Sequence, residues 1–485
     1  MIQYGELFYL LAAALLILGL KRLASPATAR RGNALAAAGM LVAIVVALLD
    51  DQVASTRVLW VGGALILGSG VGIYLARNVQ MTAMPQMVAL LNGCGGGASG
   101  LVAAAEFVRL HREFASTAAS TTAGAGATAA AGGVPVETGV AIQLGVLVGA
   151  ITFSGSAVAF GKLQEWITGK PLTYPLQKAS NVALLLITVA MAVHLVTTPT
   201  AMGVFVVFSI LSLAIGILFV LPIGGADMPV VISLLNSFSG VAASIAGFVI
   251  HNNGLIVGGA LVGASGLILT HIMCKGMYRS LANVLFGAFG GGTTGSEAGT
   301  DGAGSDGDKI VREVQAADAA VMLAYAKQVI VVPGYGLAVA QAQHVVRELA
   351  QLLEKRDVDV KYAIHPVAGR MPGHMNVLLA EADVSYDRLY DMDDINPEFE
   401  RADVAIVIGA NDVVNPAART DTSSPIYGMP ILNVDKAQST IVLKRSMRPG
   451  FAGIQNALFY EPRTHMLFGD AKDTIQALIG ELKDI

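Results

Sequence analysis

Charge is scarce in this chain. Asp, Glu, Lys and Arg make up 14% of its 485 residues, where a soluble protein carries about a quarter. A chain so poor in charge cannot keep its whole surface in water. Cysteine is scarcer, with only Cys94 and Cys274, both in apolar segments. They read as buried thiols rather than a disulfide or metal ligands, and no metal site is expected. An excess of positive charge is also lacking, since the net charge is −4, which argues against a nucleic-acid partner. What the chain has instead is apolar, at 54% hydrophobic residues. The little charge present is unevenly spread, with 21 charged residues in 1–286 and 45 in 287–485. The first part is built for lipid and the second for water.

A bilayer core about 30 Å thick needs about 20 apolar residues per helix. Long apolar runs fall near 6–20, 34–49, 58–76, 84–108, 139–160, 179–198, 201–222, 229–250 and 254–274. Nine transmembrane helices are therefore expected. The first is not a signal peptide, because Lys21, Arg22, Arg30 and Arg31 follow the apolar run instead of preceding it. With the N-terminus outside, the inner loops carry ten basic residues and the outer loops only Arg57, Arg109 and Arg112. This positive-inside bias puts the C-terminal half in the cytoplasm.

The spans are rich in Gly, Ala and Ser. The stretch Gly93-Cys94-Gly95-Gly96-Gly97-Ala98-Ser99-Gly100 allows close helix packing, or leaves a narrow hydrated gap beside a polar residue. The membrane part also repeats itself. Met84-Pro85 through Asn92-Gly93 parallels Met228-Pro229 through Asn236-Ser237, and Leu147-Val148-Gly149-Ala150 parallels Leu261-Val262-Gly263-Ala264. Each leading element begins a helix with Pro near its start and sets an Asn about two turns in. Two amides at equivalent depth suggest a pseudo-symmetric centre like that of transport proteins, or each amide serves only to bond a neighbouring helix. Asp227, before the second repeat, reads as an interfacial acid or a proton relay.

Two segments are of low complexity. Residues 115–133 form an outer loop with nothing to bury, expected to be disordered, and residues 287–308 form a flexible linker. The expected organisation is a membrane domain over 1–286, the linker, and a soluble domain over 309–485. In that last part short β-branched runs alternate with helical stretches. Strands are expected at Gln328–Val332, Val358–Ile364, Asp403–Ile408, Pro430–Val434, Thr440–Leu443 and Thr464–Phe468, with a helix at Ala338–Lys355. That alternation reads as a Rossmann-like, doubly wound parallel α/β sheet.

Directly after the first strand comes Gly334-Tyr335-Gly336-Leu337-Ala338-Val339, leading into the helix. A Gly-x-Gly string at a strand end cradles a pyrophosphate: the first Gly turns the chain, the second admits phosphate to the backbone, and the helix start supplies N–H groups. Val at the last position is a mild departure. An NAD site would place an acid at the end of the second strand, which here reads Ala363-Ile364-His365-Pro366. Lys444-Arg445-Ser446 follows a later strand, and two cations with a hydroxyl suit the 2′-phosphate of NADP. The remaining strand-end loops complete the candidate ligand edge. They supply His365, Val367, Ala368, Gly369 and Arg370; Gly409, Asn411, Asp412 and Asn415; and Gly469, Asp470, Ala471 and Lys472. Histidine and Arg there read as phosphate or amide contacts rather than catalytic bases.

The run from Pro333-Gly334-Tyr335-Gly336 to Gln341-Ala342-Gln343 belongs to a larger motif set. With it go Ile364-His365-Pro366-Val367-Ala368-Gly369-Arg370, Gly409-Ala410-Asn411-Asp412, Lys444-Arg445-Ser446-Met447 and His465 through Lys472. Together they closely resemble the β subunit of proton-translocating NAD(P) transhydrogenases. Met84-Pro85, Gly224-Gly225-Ala226-Asp227-Met228-Pro229 and Asn236 extend the resemblance over the membrane part. The resemblance implies a multi-pass protein of the cytoplasmic (inner) membrane whose NADP(H) domain protrudes into the cytoplasm. It also implies a partner α subunit that holds NAD(H), Si–Re-specific hydride transfer between the two nucleotides, and inward proton flow that drives NADPH formation. A dimer of αβ units and no nucleic acid are further expectations. In the family the nucleotide lies reversed relative to ordinary Rossmann enzymes. The resemblance also adds Gly450 and Phe451 to the nucleotide contacts, and puts Tyr335 and Asp412 beside the reacting rings. Many members carry His where this chain has Asn92, on the proton path. Asparagine does not titrate, so the titrating group is sought among Glu106, His194 and His271, or in a His contributed by a partner's helix, with Asn236 and Asp227 on the same path.

A different class would be a transporter or channel whose soluble domain only senses NADP(H). A self-contained dehydrogenase fits less well, because the chain has one dinucleotide fingerprint and no second substrate domain.

Overall fold

The computed structural model describes residues 2–23, 26–49, 55–80, 83–121, 135–168, 176–198, 201–224, 227–276, 311–370, 373–422, 426–447 and 455–485, with 172, 174, 280–282 and 424 besides. The 287–308 linker lies outside them. Two compact units emerge, one of Met1–Gly225 with Val231–Thr270, the other of Ala226–Val230 with His271–Ile485.

Among the described residues, nine long helices precede the sheet: α1 Ile2–Leu23, α2 Pro26–Leu48, α3 Ser55–Asn78, α4 Met84–Thr121, α5 Val136–Leu163, α6 Gln177–Thr197, α7 Met202–Val220, α8 Met228–Val249 and α9 Asn253–Gly276. Helix is the required form here, because lipid offers no partner for a backbone N–H or C=O. Eight of the nine, α2 to α9, are long and apolar enough to cross a bilayer. The remaining helix, α1, is 22 residues long and carries its charges, Glu6, Lys21 and Arg22, near its two ends.

Helix α4 continues to Thr121, well past its apolar part. The expected outer loop at 115–133 therefore begins as helix, and its remainder from 122 lies outside the described residues. Both cysteines are free, but only Cys274 is buried; Cys94 is exposed on α4, contrary to expectation.

The repeats hold in three dimensions. Met84 and Met228 each begin a helix. Gly96 and Gly149 pack so closely that a Cβ on Gly149 would lie 2.6 Å from the Gly96 carbonyl oxygen. Their counterparts in the second repeat, Gly240 and Gly263, meet in the same way, at 2.4 Å from a Gly240 Cβ to the Gly263 nitrogen. The small residues thus serve close helix packing in α4–α5 and in α8–α9.

The second unit carries six parallel strands: β1 Gln328–Pro333, β2 Asp359–Ile364, β3 Leu389–Asp391, β4 Val404–Ile408, β5 Ser439–Lys444 and β6 Thr464–Phe468. Their order, β3-β2-β1-β4-β5-β6, is that of a doubly wound dinucleotide fold. The helices of five or more residues in this part are α10 Ala316–Ala324, α11 Tyr335–Val339, α12 Gln343–Glu354, α13 His374–Glu381 and α14 Ala471–Asp484. The central strand Val404–Ile408 is apolar and buried at every position, as a parallel strand covered on both faces must be. Three expectations fail. Pro430–Val434 is not a strand; two of its residues, Leu432 and Val434, are core residues supplied by a coil segment. Leu389–Asp391 is a strand, although three residues are too few to show a period. The helix expected at Ala338–Lys355 is interrupted at 340–342, where Gln341 adopts φ 49°.

Two glycines test the packing. Gly480, inside α14, has nothing within 4 Å of a Cβ, so Gly480→Ala should stabilise the domain by about 0.5–1 kcal/mol. Gly409 has φ 66° and a Cβ there would sit 2.4 Å from the Gly336 Cα. Gly409→Ala should cost about 3 kcal/mol or more. Thermal melts of the solubilised chain check both signs.

Candidate functional site

The sheet register brings the carboxyl ends of four strands to one level. Pro333 pairs with Ile408, Ile408 with Leu443 and Lys444 with Phe468. The loops that leave these ends, at Gly334, Gly409, Arg445 and Gly469, therefore lie along one edge.

At the centre of that edge the glycines meet each other. The Gly334 N–H donates to the Ile408 carbonyl and the Gly336 N–H to the Gly409 carbonyl, each at 2.9 Å. A Cβ on Gly334 would lie 2.4 Å from Ala410 backbone. Both amides are used within the protein, and α11, which follows, is five residues long. Pro333, expected after the strand, is its last residue. Leu337 and Ala338 are fully buried, while Val339 is exposed, so its bulk costs nothing.

The loop after β2 is held by two histidines. His365 is buried, accepts from the Val367 N–H at Nδ1 and donates from Nε2 to the Pro430 carbonyl at 2.8 Å. Burial pushes its pKa below the ordinary 6.5, against the opposing effect of the Pro430 bond. It ties the loop to the chain at Pro430. Ala368 is buried and Val367 partly so. Gly369, at φ 110°, has no room for a Cβ, which would lie 2.6 Å from the Cβ of His374. The Arg370 guanidinium lies over the Tyr335 ring at 4.4 Å, and the Tyr335 and His374 rings are 6.2 Å apart. His374 closes the same loop, whose histidines were read as phosphate or amide contacts.

On the β4 loop, Asn411 donates to the Asp412 carboxylate at 3.0 Å. Burial raises the Asp412 pKa and the Asn411 bond opposes that rise. Asn415 is wholly buried, donating to the Gln455 carbonyl and accepting from Ala417. It braces the loop from within. Asn456, with no sequence signal, ties the same loops together by donating to the Asn411 carbonyl at 2.9 Å.

At the far end of the edge, the Lys444 ammonium donates to the Ser446 carbonyl and burial lowers its pKa. Arg445 lies 3.5 Å from the Asp470 carboxylate, with its side chain 65% exposed. Asp470 caps α14, accepting from the Lys472 N–H, and Ala471 is the first residue of that helix. Gly469, at φ 152°, would press a Cβ onto Thr474. Gly450 and Phe451 lie outside the described residues.

In the membrane part, Asn92 is buried on α4 and donates to the Ile232 carbonyl of α8, one turn before Asn236. That bond joins the two repeats. Asn236 is partly buried, and Asp227 stands just ahead of α8. The three titrating candidates do not meet at this point. Glu106 forms a two-point ion pair with Arg109, and His194 and His271 sit exposed on α6 and α9. Among the described residues no cluster of metal-ligating side chains occurs.

Fold and edge together define a polytopic membrane protein carrying a dinucleotide-fold domain. The model of the family described as "NAD(P) transhydrogenase beta subunit" matches residues 5–481. Two curated relatives, from Rhodospirillum rubrum and from a named strain of it, each called "NAD(P) transhydrogenase subunit beta", are 49% identical over 472 residues, covering 97% of either chain. This chain belongs to the NAD(P) transhydrogenase β-subunit family.

One consequence is a pH dependence. Burial, aided by Arg370, depresses the His374 pKa to about 4 from the ordinary 6.5. The unfolded chain then binds the proton first. Stability should hold above pH 6.5 and fall as the pH drops towards about 4. His374→Asn should flatten that fall in melts of the C-terminal domain run from pH 7 to 4.

Proposed function

We propose that this chain is the NADP(H)-binding, proton-conducting subunit of an inner-membrane transhydrogenase, with its C-terminal domain in the cytoplasm. The observation that carries the nucleotide assignment is the pair of cations at the end of β5. Lys444 and Arg445 stand beside the Gly469-Asp470 turn at the carboxyl edge of a doubly wound sheet, where such sheets bind nucleotides. No acid ends β2, as a ribose 2′-OH would require. NADP(H), when bound, supplies or accepts the hydride.

The chain's own residues bind and orient. Lys444, Arg445 and Ser446 hold the 2′-phosphate. Arg370 and Tyr335 flank the opposite end of the edge, with Asp412 between. One dinucleotide fold serves one nucleotide, so NAD(H) is assigned to an α partner, which docks at the Tyr335–Asp412 edge so that the two nicotinamides approach to about 3–3.5 Å. Two αβ units then form a dimer, and transfer has Si–Re stereochemistry.

The bond from Asn92 to Ile232 supports a path between the repeats, shared by Asn236 and opening at Asp227. A proton moving there works only by favouring one of two states of the nucleotide domain. By linkage, NADP(H) affinity then changes with pH in the intact enzyme.

Arg445→Ala should weaken NADP⁺ binding by about ten- to a hundredfold, from about 1.5–3 kcal/mol per charge-assisted contact, and leave NAD⁺ binding unchanged. Calorimetry showing equal losses for both nucleotides would remove the assignment. Asn236→Leu and Asp227→Asn should leave NADP⁺ binding intact yet abolish proton pumping in proteoliposomes reconstituted with the α partner. Pumping at the unmodified rate would reduce the paired asparagines to helix–helix contacts.

A further inference from the structure

Two histidines hold the loop after β2, and their hydrogen bonding differs. His365 uses both ring nitrogens, Nδ1 for the Val367 N–H and Nε2 for the Pro430 carbonyl. His374 uses one. Its Nδ1 accepts from the Arg370 N–H at 3.0 Å, so that nitrogen carries no proton in the neutral ring and the proton sits on Nε2. That Nε2 is buried without a partner in a side chain only 1% exposed. A buried donor left unpaired costs about 1–3 kcal/mol, and such groups in native folds call for an explanation.

The geometry around the ring is tightly specified. Gly369 takes φ 110° and leaves no space for a Cβ against His374, which aims the Arg370 N–H at Nδ1. The Tyr335 ring is 6.2 Å from the imidazole and carries the Arg370 guanidinium at 4.4 Å. Tyr335 opens the loop after β1 and Arg370 lies in the loop after β2, so the orphan donor belongs to the strand edge already assigned to NADP(H).

We propose that the Nε2–H of His374 is a nucleotide-binding donor that meets an oxygen acceptor of NADP(H), on the pyrophosphate or the nicotinamide carboxamide, once the Tyr335–Arg370 pair shifts to admit it. The inference rests on the nucleotide reading of this edge. The unpaired donor is held neutral and ready, and the energy of leaving it unpaired is recovered only with ligand present.

Two substitutions separate the ring nitrogens. In His374→Asn the amide oxygen replaces Nδ1 and keeps the Arg370 N–H bond, but nothing replaces Nε2. In His374→Gln the amide nitrogen replaces Nε2. Calorimetry with NADP⁺ on the solubilised full chain should show His374→Asn weakened about ten- to a hundredfold, and His374→Gln within about threefold of the unmodified chain. Repeating the titration with the NADP analogue that lacks nicotinamide places the acceptor. A deficit that persists assigns the pyrophosphate, and one that vanishes assigns the carboxamide. Unmodified affinity in His374→Asn, or equal losses in both variants, overturns the proposal while the nucleotide reading stands. An unmodified chain that binds no NADP⁺ defeats that reading itself.

Discussion

The backbone contact between Gly334-Gly336 and Gly409-Ala410 is the constraint on which the nucleotide domain depends. It locks the turn after β1 to the turn after β4, at the point where the winding of the sheet reverses. No side chain fits there, since any Cβ at Gly334, Gly336 or Gly409 would come within 2.4–2.7 Å of opposing backbone. With the two turns fixed, the register carries β5 and β6 to the same level and presents Lys444, Arg445 and Asp470 at one end of the edge. The β2 loop presents Tyr335's partner Arg370 and His374 at the other. Glycine contacts do the same work in the membrane, where Gly96–Gly149 and Gly240–Gly263 set the spacing of two related helix pairs. Across both units, close backbone approach fixes positions and the sparse polar groups supply the chemistry.

That economy explains why charge is so rare and so concentrated. The buried polar groups of α4 and α8 are neutral amides and hydroxyls, which bond helix backbones without the desolvation penalty of a charge. Asn92 is one of them, and its bond to Ile232 is compatible with an ordered path but supplies no proton store. Glu106 is committed to Arg109, and His194 and His271 face outward from their helices.

Much of the fold was legible in the sequence because its periods were clean. Eight apolar helices, five of six strands and the repeat beginning at Met84 and Met228 follow from run length and self-similarity. The failures have local causes. Leu389–Asp391 is too short to show alternation, and Pro430–Val434 is apolar because it fills the core as coil. The candidate edge was legible as loops at strand ends, but the role of each residue was not. Leu337, Ala338, His365 and Asn415 stand at ligand positions and are all buried, which position alone did not show, while Asn456 gave no signal. Sequence position tells which loop a residue occupies; only the hydrogen bonds tell whether its polar atoms are already used.

The central claim is that this chain holds one nucleotide and completes a redox pump only with a partner. Proteoliposomes containing the full chain, with and without an α subunit, test it directly. The measurement is reduction of an NAD analogue by NADPH, recorded together with proton movement across the membrane. The account predicts no reduction by the chain alone, and with the partner a reduction accompanied by proton translocation. Nucleotide-to-nucleotide reduction by the chain alone, or solute flux without any redox change, would contradict it.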